Sequence, residues 1–240
     1  GVAKVVLGEP GYEDHWRRAL ELFEGIGDLS KQAMALANLG AGAYLEGRWS
    51  DALELNERAR DLRRRTGDPT NVALADLNIG EILLDQGLYE AAEALLRDAG
   101  RVWRASEDHF NLGICLGYLG RLEVRTGRVE AAMRRFEDAR AEFAYVGAQG
   151  DTLEADARIA EALLFMDDAA GALAMADHVR EELRTGVGPG MLTPLVERVR
   201  GYALIQLGDL GRARDALESS LRAGRERGAE HEVAFTIATD

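Results

Sequence analysis

The sequence predicts an all-α fold, a solenoid built from antiparallel helix pairs. The same residue types recur every 40 positions along most of the chain, which is typical of a stacked-repeat architecture. Within each 40-residue unit, apolar residues follow the i, i+3/i+4 spacing of amphipathic helices. Strict alternation of apolar and polar residues is nearly absent, and only 6% of the residues are aromatic. A β-sheet is therefore not expected.

Two marks define the 40-residue register. A glycine or aspartate divides each unit, at Gly47, Gly87, Gly127, Asp167 and, one residue late, Gly208. An alanine stands five positions after each of these residues, at Ala52, Ala92, Ala132, Ala172 and Ala213. Because both marks keep one register through five units, we interpret each unit as one supersecondary structure that repeats along the chain.

The first complete unit illustrates the predicted helix pair. Apolar residues at helical spacing predict a first helix over 29–45. Gly47 interrupts the pattern, since a residue without a Cβ adopts positive φ at little cost. A second helix is predicted to follow to Gly67, with Ser50 as its N-cap. Small residues are expected to let the paired helices approach closely, at Gly40, Ala52 and Ala59.

The register also predicts the domain organisation, a single array over 1–240. Full repeats are expected at 28–67, 68–107, 108–147, 148–187 and 188–228, with partial repeats at 1–27 and 229–240. The glycine-rich stretch from Arg184 to Thr193 is interpreted as a longer inter-repeat loop rather than a flexible linker between domains. Both ends are cut inside a repeat, so we expect a fragment of a longer protein. Such ends are expected to self-associate through partly uncovered apolar positions, namely Leu20, Phe23, Val233 and Phe235.

Composition excludes several function classes. The formal net charge is −13, which repels nucleic-acid phosphates and argues against nucleic acid as a partner. No apolar run approaches the roughly 18 residues that a membrane span needs, and no secretory signal opens the chain. The single Cys115 cannot form an internal disulfide, which fits a reducing compartment. We therefore predict a cytoplasmic protein without a membrane partner.

Signatures of catalysis were sought without result. The glycines of the 186–190 stretch lack the lysine of a phosphate-binding loop. The four histidines lie in different units and form no His-x-x-x-His pair, so a zinc site is not expected. Cys115 lies among small residues of a predicted helix and is interpreted as a packing residue rather than a nucleophile. We predict that this chain is not an enzyme and uses no cofactor or metal.

The repeat resembles the tetratricopeptide repeat, with its Leu-Gly, Gly, Ala and Ala marks, although the unit is longer than the common length of about 34 residues. The resemblance covers essentially the whole chain. It implies a right-handed superhelix of antiparallel helix pairs, whose first helices line a concave surface that binds a peptide or protein.

Three stretches are similar to one group of proteins that contain such repeats, and they span 20–40, 79–87 and 199–208. They resemble the C-terminal arrays of large bacterial signalling proteins that combine a class III adenylate/guanylate cyclase domain with an ATPase module. The resemblance implies a regulatory array in a protein that makes cyclic nucleotide, although the cyclase aspartates and the phosphate loop are absent from these residues. A similar 40-residue repeat ends ATP-dependent transcription activators, which remain an alternative parent.

Equivalent positions of the predicted first helices form two rows along the expected concave surface. One row is Asn38, Asn78, Tyr118, Arg158 and Val199, and the other is Ala41, Glu81, Arg121, Glu161 and Tyr202. The asparagines resemble the backbone-clamping asparagines of peptide-binding arrays, because a carboxamide both donates and accepts. Arg121, Arg125 and Arg158 concentrate positive charge and predict an anionic group on the partner. The predicted binding residues are Asn38, Asn78, Tyr118, Arg121, Arg125, Arg158 and Tyr202.

Two alternatives stay open at this stage. Glu81, Arg121 and Glu161 alternate in sign along their row, so they could form a ladder of salt bridges between repeats instead of a binding surface. The array could also be a spacer or assembly arm whose groove binds nothing. The preferred hypothesis is a sensor or interaction module that binds a peptide, protein or effector and regulates attached signalling domains.

Overall fold

The computed structural model describes residues 11–187 and 190–226, and this part of the chain contains eleven α-helices, a short 3₁₀ helix and no strand. The helices are α1 Tyr12–Gly25, α2 Leu29–Leu45, α3 Trp49–Thr66, α4 Pro69–Asp85, α5 Tyr89–Ala105, α6 His109–Arg125, α7 Val129–Tyr145, α8 Gln149–Phe165, α9 Ala169–Arg184, α10 Thr193–Gln206 and α11 Leu210–Glu226. The prediction of an all-α fold is confirmed. The partial repeat predicted at 229–240, with Val233 and Phe235, lies outside the described residues, as do residues 1–10.

The chain divides into two compact units, residues 1–111 and 112–240, and each is described by itself. In the first unit, helices α1 to α5 pack in chain order, each against the next. In the second unit, α7 to α11 also pack in chain order, and α8 additionally contacts α10. Helices α2, α4, α6, α8 and α10 are here called first helices, and those that follow them second helices.

Short turns connect the helices within each pair. At the turn of the first pair, Gly47 has φ 72°, as the interruption of the helical pattern predicted. Asp167 holds the equivalent turn position between α8 and α9 with φ 61°, a backbone conformation that is costly for a residue with a Cβ. Ser50 is not the N-cap of α3, since that helix begins at Trp49 and Arg48 caps it without a side-chain hydrogen bond.

Glycines on the first helices create room for large side chains of their partner helices. A Cβ at Gly80 would lie 2.8 Å from Leu96 Cδ2, and a Cβ at Gly113 would lie 2.7 Å from Phe143 Cε1. Gly40 likewise makes space for the Asn56 side chain, which is only 2% exposed. The predicted role of small residues in close helix approach is thus seen in atomic detail.

The α9–α10 connection, the longest between described helices, joins two repeats that share a core. A 3₁₀ helix at Gly190–Leu192 precedes α10. Leu192 is 4% exposed and belongs to one apolar cluster with residues of α8, α9 and α10, together with the half-buried Val187. The apolar packing on both sides of the connection favours an inter-repeat loop over a flexible linker.

Two of the apolar residues that were predicted to be partly uncovered, Leu20 and Phe23, lie on α1. Leu20 is half-buried and packs against the cluster of Ala33, Leu36 and Ala59, and Phe23 is also half-buried. The exposed apolar residues of this helix and its C-cap are instead Leu22 (64%) and Ile26 (71%).

Candidate partner-binding face of the first helices

The two predicted asparagines of the first unit occupy equivalent positions but make different contacts. Asn38, on α2, donates from Nδ2 to the Met34 carbonyl at 2.8 Å, which is the preceding turn of its own helix. The Tyr12 hydroxyl donates to the Asn38 backbone carbonyl at 3.2 Å. Asn38 therefore lies in a local network that includes α1, with part of its carboxamide still accessible.

Asn78, on α4, faces the preceding second helix. Its Nδ2 donates to Asn56 Oδ1 at 3.1 Å, and Asn56 Nδ2 in turn donates to the Ala52 carbonyl at 2.9 Å. These two bonds satisfy the buried Asn56, whose unpaired amide would otherwise be costly. The half-buried Asn78 keeps its carboxamide oxygen and a second N–H, since one N–H is used here.

In the second unit, Tyr118 and Arg121 form one contact on α6. The Arg121 guanidinium carbon lies 5.4 Å from the centroid of the Tyr118 ring, which is within cation–π range. Both side chains are half-buried, whereas Arg125 at the end of the same helix is exposed. The i, i+3 spacing of Tyr118 and Arg121 could have revealed this pair from the sequence.

Arg158 does not stand alone as a cation. Its Nη1 donates to Glu161 Oε2 at 3.1 Å, and Arg198 Nη2 of α10 donates to Glu161 Oε1 at 2.9 Å. Burial raises the pKa of Glu161, but Arg158 and Arg198 together outweigh that effect, so the pKa lies below its usual value. Two arginines therefore share one carboxylate.

Arg198 is a residue that the sequence analysis missed. Val199, which it placed on the first row, is only 1% exposed and belongs to the core. Arg198, the residue before Val199 on α10, is the one that bonds Glu161 of α8. Tyr202, one turn further along α10, is half-buried and packs against the same apolar cluster.

A second set of charged contacts lies at three interfaces between a second helix and the first helix that follows it. Arg60 Nη1 donates to Asp76 Oδ1 at 3.4 Å in the first unit. In the second unit, Arg140 Nε lies 2.8 Å from Asp156 Oδ1, and Arg180 Nε lies 2.8 Å from Glu197 Oε1. The register spacing of 16 or 17 residues could have revealed these pairs.

The described residues contain neither a metal site nor a membrane-spanning helix. Among residues 11–187 and 190–226, no group of three histidine, cysteine or acidic side chains is arranged to hold a metal ion. Within the same ranges, no helix has the length and hydropathy needed to cross a bilayer. Cys115 is a free thiol and fully buried, as the packing interpretation predicted.

The family assignment rests on part of the array. Residues 71–141 match the tetratricopeptide repeat family model, and this segment covers α4 to α7 almost completely. Over this segment the chain is similar to tetratricopeptide repeats. No curated protein matches the sequence significantly. The predicted kinship with cyclase–ATPase signalling proteins is therefore taken up only as a proposal.

Solved structures with the same fold include tetratricopeptide-like proteins from several systems. BtubC (BKLC) from P. vanneervenii has a TM-score of 0.70 at 15% identity, with 92% of this chain and 91% of that chain covered. NprR in complex with its cognate peptide NprX has a TM-score of 0.74 at 11% identity, with 99% and 69% covered. A Rap protein complexed with the competence and sporulation factor has a TM-score of 0.69 at 16% identity, with 93% and 67% covered. At these identities the likeness shows the fold alone.

Proposed function

We propose that this chain is a non-catalytic module that binds an extended peptide along its first helices. This proposal rests on the polar side chains at equivalent first-helix positions, which can form hydrogen bonds beyond those they make within the chain. Asn78 keeps one acceptor oxygen and one N–H beyond its bond to Asn56, and a carboxamide of this kind can pair with peptide backbone of any sequence. Two structures of the same fold are complexes, one of NprR with its cognate peptide NprX and one of a Rap protein with the competence and sporulation factor.

The cationic residues of the second unit add a preference for a partner with a carboxylate. Arg158 and Arg198 share the carboxylate of Glu161, so two guanidinium groups lie together here. A carboxylate that approaches them gains a charge-assisted hydrogen bond in a partly dehydrated setting. Arg121 and Arg125 on α6 and Tyr202 on α10 complete the proposed site in this unit.

We further propose that binding regulates signalling domains attached to this array in a longer cytoplasmic protein. The sequence resemblance to the arrays of bacterial nucleotide cyclase–ATPase proteins supports this part, and an ATP-dependent transcription activator is the alternative parent. Comparing cyclic-nucleotide synthesis by the full-length parent with and without the array tests it. Unchanged synthesis in the presence of a bound peptide would exclude regulation of that activity.

A structural spacer is the second candidate, and a specific observation favours it. Asn38 and Asn78 already bond groups of this chain, and Glu161 already neutralises part of the arginine charge. Such contacts stabilise repeat stacking without any partner. The two functions differ in whether substitutions on the first helices change binding.

The test is a screen of the purified chain against a library of ten-residue peptides, followed by affinity measurement on the best binder. The variant pairs are Asn38→Ala/Asn78→Ala and Arg121→Ala/Arg158→Ala. We expect each pair to weaken binding at least tenfold while the helical circular dichroism signal is retained. Arg101→Ala is the matched control, because Arg101 is an exposed arginine on second helix α5. Equal binding by both pairs and the control would leave only the spacer function.

A further inference from the structure

The second unit carries exposed apolar side chains at one edge, where its last two described first helices end. Phe165 is 60% exposed, Met166 44%, Ile205 43%, Leu207 50% and Leu210 67%. They lie in or beside the turns that join α8 to α9 and α10 to α11. Apolar side chains of this size that cluster in solvent commonly mark an interaction site.

Direct contacts hold the two turns side by side. Helices α8 and α10 touch each other, and Glu161 of α8 bonds Arg198 of α10. Both first helices run in the same direction because each pairs antiparallel with α9, so their C-terminal ends lie at the same edge. Packed helices are separated by roughly 8–10 Å, a spacing that the apolar face of one further helix can bridge.

Comparison of the five equivalent turns indicates that an apolar C-cap residue is particular to the last two. The residue that caps the C-terminus of each first helix is polar in the first three turns and apolar in the last two. The five residues are Glu46, Gln86, Thr126, Met166 and Leu207. Geometry does not require the change, because a residue with positive φ follows immediately in all five turns.

Charge changes at the same two turns. The residue before each second helix is Arg48, Leu88, Arg128, Asp168 or Asp209, so acidic residues replace arginine where the apolar residues occur. Asp167 adds a third carboxylate, at a position that is glycine in the other four turns. Asp168 accepts a hydrogen bond from the Gly171 N–H at 2.9 Å, and Asp209 lies 3.6 Å from the Arg212 guanidinium. With Arg212 counted, the edge remains negatively charged.

We propose that this edge is a docking site for a basic amphipathic helix of a partner protein. The apolar face of that helix covers Met166 and Leu207, and its flanking lysines or arginines lie next to the three aspartates. Apolar contact supplies affinity, while charge complementarity selects the partner and its orientation. This site is separate from the peptide-binding proposal and does not depend on it.

The experiment uses two synthetic 18-residue amphipathic helices, one of leucine and lysine and the other with glutamate in place of every lysine. Their binding to the full chain is measured by fluorescence anisotropy. We expect the lysine peptide to bind at least tenfold more tightly than its glutamate twin. Met166→Gln/Leu207→Gln is expected to weaken binding of the lysine peptide at least tenfold. Gln86 at the equivalent turn position shows that this turn accepts glutamine.

Two further variants separate specific docking from general attraction to an acidic protein. Leu88→Gln removes a 52%-exposed apolar residue from a turn of the first unit and is expected to leave binding unchanged. Asp167→Gly/Asp168→Ser introduces the usual turn glycine and keeps an N-capping side chain, and it is expected to weaken binding about fivefold. Equal loss in Leu88→Gln and Met166→Gln/Leu207→Gln, or equal binding of the two peptides, would overturn the proposal.

Discussion

Arg140 Nε lies 2.8 Å from Asp156 Oδ1 across the interface between α7 and α8, and the Asp156 side chain is only 3% exposed. The same position at the α1–α2 interface is apolar, since Leu20 of α1 packs with the cluster that contains Leu36 of α2. One structural position thus holds an ion pair in one repeat and a leucine pair in another. The Asp156 Oδ1 atom has no aligned hydrogen bond, so the ion pair is incompletely satisfied.

Arg140→Leu is expected to destabilise the chain, whereas Arg140→Leu/Asp156→Leu is not. The single change leaves a buried carboxylate without its counter-charge, which costs about 3–5 kcal/mol. The double change restores the leucine pair already present between α1 and α2 and is expected to match or exceed wild-type stability. Urea unfolding followed by circular dichroism measures both. A double variant as unstable as the single one would contradict the argument.

The stability of Asp156→Asn relative to wild type is expected to rise with pH. Burial raises the pKa of Asp156 above 3.8, and Arg140 and then His178 only partly offset that effect. A raised folded-state pKa contributes stability that is fully present below the unfolded value and lost as pH rises through the folded value. Asparagine avoids this loss because it does not ionise.

Melting temperatures of wild type and Asp156→Asn between pH 4 and pH 7 test this sign. Asp76→Asn provides a parallel case, because burial also raises the pKa of Asp76, against the opposing effect of Arg60. If the melting temperature of wild type instead rises relative to those of both variants as pH rises, the ion pairs affect the two aspartate pKa values more than burial does.

Gly120→Ala is expected to destabilise the chain by about 1–3 kcal/mol through overpacking. A Cβ at this position would lie 2.7 Å from Phe136 Cδ1, and Phe136 is only 1% exposed. Gly117→Ala is the matched control on the same helix, since a Cβ there meets nothing within 4 Å. The free energy of unfolding of Gly117→Ala is expected to rise by about 0.5–1 kcal/mol, because alanine has a higher helix propensity than glycine. Equal effects of the two alanines in urea unfolding would refute the close-approach explanation.

Arg63→Leu is expected to stabilise the chain by about 1 kcal/mol or more, because it removes a poorly compensated buried charge. Arg63 is 8% exposed, its Nη1 has no hydrogen-bond partner, and among the described residues it forms no ion pair. Burial lowers its pKa. The equivalent positions of α1, α5, α7 and α9 are apolar, namely Phe23, Trp103, Phe143 and Leu183.

Arg64→Leu controls for the loss of positive charge in general, because Arg64 is 55% exposed and lies 3.4 Å from Asp61. Differential scanning calorimetry of both variants at neutral pH compares them. If Arg64→Leu stabilises the chain as much as Arg63→Leu does, burial of the charge at position 63 is not the cause of the stabilisation.

The helix pairs were predictable from the sequence because their signals are local. Apolar spacing and turn glycines located α2 and its partner α3 within a few residues. The one-residue insertion before α10 was visible as a shift in register, and Val199 was placed on its row with that shift included. The structure nevertheless buries Val199 in the core and brings the preceding Arg198 to Glu161. Adjacent residues of a helix point about 100° apart, so the repeat register alone did not identify the side chain that reaches α8.

The sequence by itself determined the repeat length, the helix pairs and the positions that must be small or apolar, since these follow from periodicity and from backbone geometry at the turns. Only the tertiary structure decided which side chains meet. Asn78 bonds Asn56 rather than standing free, and Glu161 of α8 bonds Arg198 of α10. The physical reason is that these contacts form between helices that are separate in sequence, and their partners depend on helix rotation and side-chain rotamer, which a repeat pattern does not encode.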